Sequence, residues 1–388
     1  MLYLDYAATT PPYAEVIDTV AEVMRSYYGN PSSLHQLGVE AERLLGQAKD
    51  VIAKILKVKA NEIIITSGGT ESNNLAIKGA AYQYRSRGNH LITTQIEHPS
   101  VMESFKQLEN EGFRVTYLPV DETGCVRMDA LRESICDETI LVSVMLVNNE
   151  TGRIQPIAEI GKELADHARI LFHVDAVQGV AKLPIAPHEL GIDLLSASAH
   201  KFRGPKGIGF LYRRENVKLM PLLVGGGQEA GNRSGTENVP LIIGMAKALR
   251  MATDHLAHAI QHKYRLRQVL TDGISAISEL RLTGSANSND MAPHIVHFCY
   301  PGMKAEVVVH AMEKHGICIS TKSACSSDEL KPSNVLLAMG YDRDRASSGL
   351  RLSFGEEHTE EDMIKCVKAL EQVVQVLKPT ARLRGERS

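Results

Sequence analysis

Short apolar runs alternate with longer amphipathic segments through the first half of the chain, and this alternation restricts the fold more than any other feature. Seven of these runs have the length and the β-branched composition of strands. They are residues 62–66, 90–94, 114–120, 140–147, 170–175, 194–198 and 207–213. Helical stretches lie between them, such as 71–87, 99–111 and 157–168. This order predicts an α/β fold with a mostly parallel seven-stranded sheet that is covered on both faces.

The pattern changes after residue 235. Residues 237–279 are rich in predicted helix, with apolar positions three and four residues apart. Strand-like runs follow at 294–300, 316–321 and 350–354, with helices near 304–314 and at 359–377. We therefore expect a large domain of residues 13–255 and a smaller α/β domain. The smaller domain comprises residues 1–12 and 256–388.

Composition excludes several classes of protein. A net charge of −3 gives no support to binding of nucleic acid or of an anionic membrane. The six cysteines form no CxxC pair and show no zinc-type spacing, so no metal site is expected. The start of the chain is no signal peptide, and no run approaches 18 uncharged apolar residues. Scattered cysteines without an export signal predict a cytoplasmic protein.

Glycine and hydroxyl residues follow the first predicted strand, in the run TSGGTESNN. In open α/β sheets, ligands bind just beyond the carboxyl ends of the strands. Gly68 and Gly69 let the backbone approach a ligand closely, and Thr70 offers a hydroxyl where a helix begins. This arrangement is typical of a phosphate cradle. A simple helix-capping box explains the same residues equally well.

Further polar residues follow the other predicted strands. They are His98, Asn148, Asn149, Asp175, Gln178, Ser198, His200 and Lys201. Each also has an ordinary structural explanation, such as a loop histidine, an asparagine turn or a lysine on the surface. An aspartate directly after an apolar strand, however, needs a cation or hydrogen bonds. Lys201, set in the run SASAHK, is a candidate for a half-buried lysine with a lowered pKa.

Taken together, these residues meet the requirements of pyridoxal phosphate. The cofactor needs a phosphate-binding turn, an acid for its pyridine nitrogen, a lysine for its aldehyde and a residue to lie against its ring. A desolvated lysine can form a Schiff base with such a carbonyl. Tryptophan is absent from the chain, so the ring partner would be His, Tyr or Phe.

Nine motifs identify a family. They are YLDYAATT, NPSSLH, TSGGTESNN, EHPSV, NNETG, HVDAVQ, SASAHKFRGPKGIG, GGGQEAGNRSGTEN and SACSSDELKPSNVLLAMG. In this order they resemble the cysteine desulfurases of the NifS/IscS type, a branch of the class V aminotransferase superfamily. The resemblance runs from about residue 2 to about residue 355. It implies a homodimeric, pyridoxal phosphate-dependent enzyme of fold type I that converts L-cysteine to L-alanine.

The resemblance also implies roles for residues around the cofactor. Lys201 corresponds to the Schiff-base lysine, and Asp175 to the partner of the pyridine nitrogen. Gln178 would hydrogen-bond the ring hydroxyl oxygen. His98 would stack on the ring and move protons. The phosphate ligands implied by the family are Gly69, Thr70, Ser198 and His200, with Thr236 contributed to the neighbouring subunit.

Substrate and nucleophile follow from the same resemblance. Asn149 and Arg351 would bind the substrate carboxylate, and Asn149 also counts among the cofactor-binding residues. Arginine suits this task because its planar fork binds carboxylates with two hydrogen bonds. Cys325 matches the residue that takes the substrate sulfur as a persulfide. Its polar surroundings, TKSACSSDELKPS, predict the mobile loop that a sulfur carrier needs.

Two departures from the family pattern concern sulfur delivery. The distance from Cys325 to the following PSNVL resembles the branch of the family with a long loop around the cysteine. Lys322 stands where these long-loop relatives have a small residue or glycine. It either lowers the pKa of the Cys325 thiol, contacts an acidic acceptor or is an idle solvated side chain. The final residues, PTARLRGERS, differ from the tail with which general iron–sulfur assembly members dock a scaffold protein. This difference argues against docking of that scaffold and favours a specialised desulfurase with one acceptor, such as a tRNA-thiolating enzyme. The family as a whole implies an acceptor protein of iron–sulfur cluster assembly or of tRNA or cofactor thiolation.

Other functions fit parts of the sequence. A selenocysteine lyase or another class V aminotransferase-like enzyme would share most motifs, although an aminotransferase has no need of Cys325. A dinucleotide-binding oxidoreductase would account for the α/β pattern, but the run GGGQEAG does not give GxGxxG. A binding scaffold without activity would not require the full set of chemical residues.

Overall fold

The computed structural model describes residues 1–321 and 332–385. The strands are β1 (Leu2–Tyr3), β2 (Ile63–Thr66), β3 (His90–Thr94), β4 (Arg114–Leu118), β5 (Thr139–Met145), β6 (Leu171–Asp175), β7 (Leu194–Ser198), β8 (Gly209–Arg213), β9 (Arg281–Leu282), β10 (Ile295–Cys299), β11 (Ile317–Cys318) and β12 (Gly349–Ser353). The helices are α1 (Ala14–Ser26), α2 (Gln36–Leu56), α3 (Gly69–Tyr84), α4 (Pro99–Asn110), α5 (Met128–Ser134), α6 (Ile157–Leu164), α7 (Val239–Thr253), α8 (Leu256–Ala276), α9 (Ala305–Lys314), α10 (Asn334–Ala338), α11 (Arg343–Ser347) and α12 (Glu360–Gly385).

A seven-stranded sheet forms the centre of the larger unit, in the order β2-β8-β7-β6-β5-β3-β4. All neighbours run parallel except β8, which is antiparallel to both β2 and β7. The predicted mostly parallel seven-stranded sheet is thus confirmed. Strand β4 ends at Leu118 rather than at the predicted residue 120. Pro119 follows it and has no N–H to donate to the ladder.

Apolar clusters cover both faces of this sheet. On β2, Ile63 and Ile65 belong to one cluster and Ile64 to the other, as the alternation of side chains along a strand requires. The first cluster includes residues of α2, α6 and α7, and the second includes residues of α3 and α4. Neither face of the sheet is therefore open to water.

A second group of strands lies in the smaller unit. Strands β12, β10 and β9 form an antiparallel sheet, and β1 pairs in parallel with β11. Single bridges join Asp5 to Ser353 and Ser320 to Arg351, which connects the two groups. The beginning of the chain therefore lies against residues more than 300 positions away.

We propose that the chain divides into the two domains expected from sequence, 13–255 and 1–12 with 256–388. A third apolar cluster supports this division, because it joins Leu4 with residues from Leu266 to Val374 and includes none between them. Helix α7 ends at Thr253 and α8 begins at Leu256, on either side of the expected boundary. Among the described residues, no helix is long and apolar enough to span a membrane.

Candidate active site

A cavity of about 400 Å³ opens beyond the carboxyl ends of β3, β5, β6 and β7. Eleven residues singled out from sequence line it: Gly68, Gly69, Thr70, His98, Asn149, Asp175, Gln178, Ser198, His200, Lys201 and Arg351. Its volume lies within the range of about 300–1,000 Å³ that is usual for sites of small molecules. Thr236 is exposed and is not among the lining residues. Cys325 and Lys322 lie outside the described residues.

Lys201 ends the short 3₁₀ turn that follows β7, and its side chain is held from the opposite side of the cavity. The Nζ group donates to the backbone oxygens of Ala7 at 2.6 Å and Ala8 at 2.8 Å. Both contacts are with carbonyl oxygens, which accept hydrogen bonds from the amine. The amine is thus fixed inside the cavity by a peptide that enters from the beginning of the chain.

Asp175 is the last residue of β6, and it is buried with 5% of its surface exposed. Its Oδ2 accepts from Asn73 Nδ2 at 2.7 Å, and its Oδ1 accepts from the Val177 backbone N–H at 3.0 Å. Asn73 lies on α3, which packs against strands β5, β6, β7 and β8. These two hydrogen bonds compensate for the burial of the carboxylate and hold it at the cavity wall.

His98 caps the first turn of α4, and a chain of hydrogen bonds links it to Asp175. Asn73 Nδ2 donates to Ser100 Oγ at 2.9 Å, and Ser100 Oγ lies 2.8 Å from His98 Nδ1. The Ser100 backbone N–H also donates to His98 Nδ1 at 3.1 Å. Because Nδ1 accepts, the proton of the neutral ring sits on Nε2.

The pKa of His98 lies below its ordinary value. Burial lowers it most, the carboxylate of Asp175 raises it, and the charge of Lys201 lowers it again. The pKa of His200 is lowered to about 4, mainly by burial and then by Lys201 and Lys206. Both imidazoles are therefore neutral at pH 7 and can donate or accept a proton without carrying a fixed charge.

Helix α3 begins at Gly69, directly at the cavity. Its first backbone N–H groups have no partner within the helix, and its dipole favours an anion there. Gly68 has φ +149°, which L side chains rarely adopt, and a Cβ at Gly69 would come within 2.7 Å of Val177 Cγ2. The glycines bring the backbone close to Ser198 and so make a cradle for an anionic group.

Arg351 forms the part of the wall that comes from the small-domain sheet, on β12. Only 1% of its surface is exposed. Its Nη1 donates to the Asn149 backbone oxygen at 2.7 Å, and its Nη2 donates to Asp5 Oδ1 at 2.8 Å. A buried guanidinium at a cavity is well placed to bind a carboxylate.

Sequence reasoning missed several residues that support this site. Asp5, Asn73 and Ser100 hold Arg351, Asp175 and His98, and the carbonyls of Ala7 and Ala8 hold Lys201. All five positions fall within or directly beside the motifs YLDYAATT, TSGGTESNN and EHPSV. The motifs marked these segments as functional. They did not show which residues are in contact, because the contacts join residues between 2 and 346 positions apart.

The residues present fit pyridoxal phosphate. The glycine cradle at the N-terminus of α3 suits its phosphate, and the buried carboxylate of Asp175 suits its pyridine nitrogen. The primary amine of Lys201 suits its aldehyde, and the half-buried ring of His98 lies in the same cavity. Each group of the cofactor therefore finds a partner of matching chemistry.

Comparisons with known proteins show the family of the chain. The family model described as aminotransferase class-V matches residues 2–365. A cysteine desulfurase IscS of Clostridium botulinum is 43% identical over 374 residues, which cover 96% of this chain and 94% of the relative. The cysteine desulfurase IscS of Dictyoglomus turgidum is 42% identical, over 99% of this chain and 97% of the relative. A solved NifS-like protein superposes with a TM-score of 0.91 at 37% identity, over 97% of this chain and all of that chain.

Proposed function

The chain belongs to the aminotransferase class-V family, and on this premise we infer that it is a pyridoxal phosphate-dependent cysteine desulfurase. The observation that carries this inference is the cavity that gathers Lys201, Asp175, His98 and Arg351 in one place. Full-length relatives that bear the name cysteine desulfurase support it. The substrate is L-cysteine, and the products are L-alanine and sulfur at the oxidation level of a persulfide.

Each polar residue of the cavity has a task in this reaction. When bound, the cofactor supplies an electron sink for the carbon that loses its proton. Asp175 holds a negative charge where the pyridine nitrogen needs one, and Lys201 supplies the amine that anchors the cofactor. Neutral His98 carries its proton on Nε2 and can accept or return protons through the same ring. Arg351 and Asn149 bind the substrate carboxylate.

We assign the sulfur-accepting step to Cys325. The C–S bond of the substrate breaks and an S–S bond to Cys325 forms. The electron pair of the broken bond stays with the substrate carbon, which takes up a proton to give L-alanine. The sulfur is oxidised and the carbon is reduced, so no outside oxidant is needed. A later thiol acceptor removes the outer sulfur and restores the cysteine.

The test compares L-alanine and sulfide production from L-cysteine, with dithiothreitol as acceptor, in wild type and two cysteine variants. Cys325→Ala is expected to keep the absorbance of bound cofactor and to release no sulfide. Cys318→Ala is the matched control, since Cys318 lies in β11 with a half-buried side chain, and it is expected to behave as wild type. Undiminished sulfide from Cys325→Ala would remove that residue from the reaction.

A homodimer with shared active sites is part of the proposal. Large exposed apolar side chains are concentrated in two segments, residues 17–39 and 220–224, and a second copy of the chain would cover them. They include Ile17, Met24, Leu34 and Val224. Thr236, which is exposed on its own chain, would then reach the phosphate in the partner's cavity. Mixing Thr236→Ala with Lys201→Ala subunits tests this. Shared sites predict that mixed dimers regain one active site, whereas independent sites leave the activity of the mixture at the sum of its parts.

The acceptor and the compartment complete the proposal. We expect the sulfur to pass to a protein of iron–sulfur cluster assembly or of tRNA or cofactor thiolation. The free thiols of Cys125, Cys136, Cys299, Cys318 and Cys366 suit a reducing cytoplasm. Capture of partners that acquire ³⁵S from labelled L-cysteine identifies the acceptor, and cell fractionation tests the location.

A further inference from the structure

Arg351 is held more tightly than carboxylate binding alone requires. Its guanidinium has one charged partner among the described residues, the carboxylate of Asp5, at 2.8 Å. The Asp5 side chain is 19% exposed, whereas Arg351 is 1% exposed. A buried cation needs such a partner, because its own desolvation is costly. Asp5 therefore stabilises Arg351 before any substrate arrives.

The backbone beside Asp5 is fixed at several points. The Tyr6 N–H donates to the Ser353 oxygen at 3.1 Å, and the Ala7 N–H donates to Ser353 Oγ at 2.8 Å. Gln178 Nε2 donates to the Ala7 oxygen at 2.9 Å, in addition to the contact from Lys201. A carboxylate on so restrained a peptide can set the direction of the side chain that it binds.

We propose that Asp5 is a positioning residue that orients Arg351 through the Nη2–Oδ1 hydrogen bond and thereby sets the preference of the site for substrates with an α-carboxylate. Asp5 is not among the residues that line the cavity, so it acts through Arg351. The inference rests on the proposed role of Arg351 in binding the substrate carboxylate. It makes Asp5, near the start of the chain, responsible for how strongly Arg351 selects ligands that carry a carboxylate.

Orientation matters here because carboxylate recognition by arginine is directional. The plane of the guanidinium must match the plane of the two carboxylate oxygens for two hydrogen bonds to form. With Nη1 held by the Asn149 oxygen and Nη2 by Asp5, the plane of Arg351 is set by two contacts on different segments. Loss of the Asp5 contact frees the guanidinium to turn about the remaining one.

The experiment measures how strongly the holoenzyme prefers an amine with a carboxylate over the same amine without it. L-alanine and ethylamine are titrated into wild type, Asp5→Ala, Asp5→Asn and Asp5→Glu, and binding is followed by the absorbance of the bound cofactor. The dissociation constant of ethylamine divided by that of L-alanine measures how much the carboxylate contributes to binding. Asp18→Ala, at an exposed aspartate on α1, serves as the control.

Asp5→Ala is expected to lower this ratio about tenfold or more, since small misplacements at a binding group have effects of that size. Asp5→Asn keeps an oxygen at Oδ1 and is expected to remain within about threefold of wild type. Asp5→Glu keeps the charge but moves the oxygens by one methylene, and it is expected to lower the ratio as well. This variant keeps the test decisive if Asp5→Ala fails to fold.

An unchanged ratio in Asp5→Ala or Asp5→Glu would overturn the proposal. So would an Asp5→Asn variant that loses as much as Asp5→Ala, because orientation by a hydrogen bond would then not be the cause. A wild-type ratio near one would instead contradict the role of Arg351 and the Asp5 proposal with it. Sulfide release from L-cysteine, measured separately, shows whether the desulfurase activity stands in that case.

Discussion

The two walls of the cavity differ in the number of functional side chains and in how these side chains are held. The wall formed by the ends of the seven-stranded sheet carries Asp175, His98 and Lys201, and Asn73 with Ser100 links the first two through hydrogen bonds. Among the described residues, the wall from the small-domain sheet contributes one buried cation, Arg351, which depends on contacts from Asp5 and Asn149. The sheet wall suits a cofactor that stays, and the small-domain wall suits a substrate that comes and goes.

This difference predicts which substitutions change kcat and which change KM. Changes in the sheet wall are expected to alter cofactor binding and kcat, because the groups there act on the reacting atoms or hold the cofactor. Changes in the small-domain wall are expected to alter KM, because the proposed role of Arg351 is to bind the substrate carboxylate and not the reacting atoms. We expect the effect on activity to be largest for Lys201, smaller for Asn73 and smallest for Glu97.

Lys201→Ala is expected to have the largest effect. Without the amine, the cofactor cannot be joined to the chain, and turnover should fall by roughly 10³-fold or more. Borohydride reduction followed by peptide mass spectrometry should find the cofactor on Lys201 in wild type and on no lysine in the variant. Lys206→Ala, on the same loop and also at the cavity, is the control and should keep the linkage. Normal linkage in Lys201→Ala would contradict the central assignment of this wall.

Asn73→Ala tests the network behind the sheet wall. The change removes the hydrogen bond to Asp175 and the bond that directs Ser100 toward His98. Loss of a hydrogen bond to a charged group predicts a fall in kcat of about tenfold to a hundredfold, with KM changed less. Asn74→Ala removes only a bond to the Thr70 oxygen and is the matched control. If KM rose and kcat stayed constant, the division between the walls would be wrong.

Glu97→Gln is expected to have the smallest effect on activity and a clear effect on stability. Burial, opposed by hydrogen bonds from Met145 and Thr94, raises the pKa of Glu97 to about 8. The folded chain therefore keeps a proton that the unfolded chain loses above about pH 5, and this contribution to stability declines as the pH rises toward 8. The glutamine variant has no such proton to lose.

The free energy of unfolding of Glu97→Gln should thus increase relative to wild type between about pH 5 and about pH 8, by on the order of 1–3 kcal/mol. Denaturant unfolding of the holoenzyme across this pH range measures the difference. Glu103→Gln, at an exposed glutamate on α4, should show no such trend. A constant difference between Glu97→Gln and wild type would show that the buried acid does not hold a proton.

The sequence predicted the sheet wall better than the small-domain wall for a physical reason. Lys201, Asp175 and His98 follow parallel strands, and the carboxyl ends of parallel strands meet at one edge. No comparable rule places Asp5 beside Arg351, because that contact depends on the bridge between Asp5 and Ser353 of β12, which joins residues far apart in the sequence. Asn73 was within reach of prediction, since it lies four residues after Gly69 on a helix that starts at the cavity.

Strand limits show the same distinction. Strands β3 and β7 begin and end where the apolar runs predicted, because both are buried along their whole length. Strand β11 covers only Ile317–Cys318 of the predicted run 316–321, since its pairing partner β1 has just two residues. Strands β5, β6 and β8 differ by one or two residues at one or both ends from the predicted runs 140–147, 170–175 and 207–213.

The most direct test counts L-alanine released per subunit from a small molar excess of L-cysteine, which leaves too little of this thiol to remove the persulfide itself, when no other thiol acceptor is present. The account predicts that each subunit releases one L-alanine and then stops, with the mass of one sulfur atom added to the peptide that contains Cys325. Addition of dithiothreitol should restart the reaction. Continued release of L-alanine without an acceptor, or release of L-alanine with no sulfur on that peptide, would contradict it.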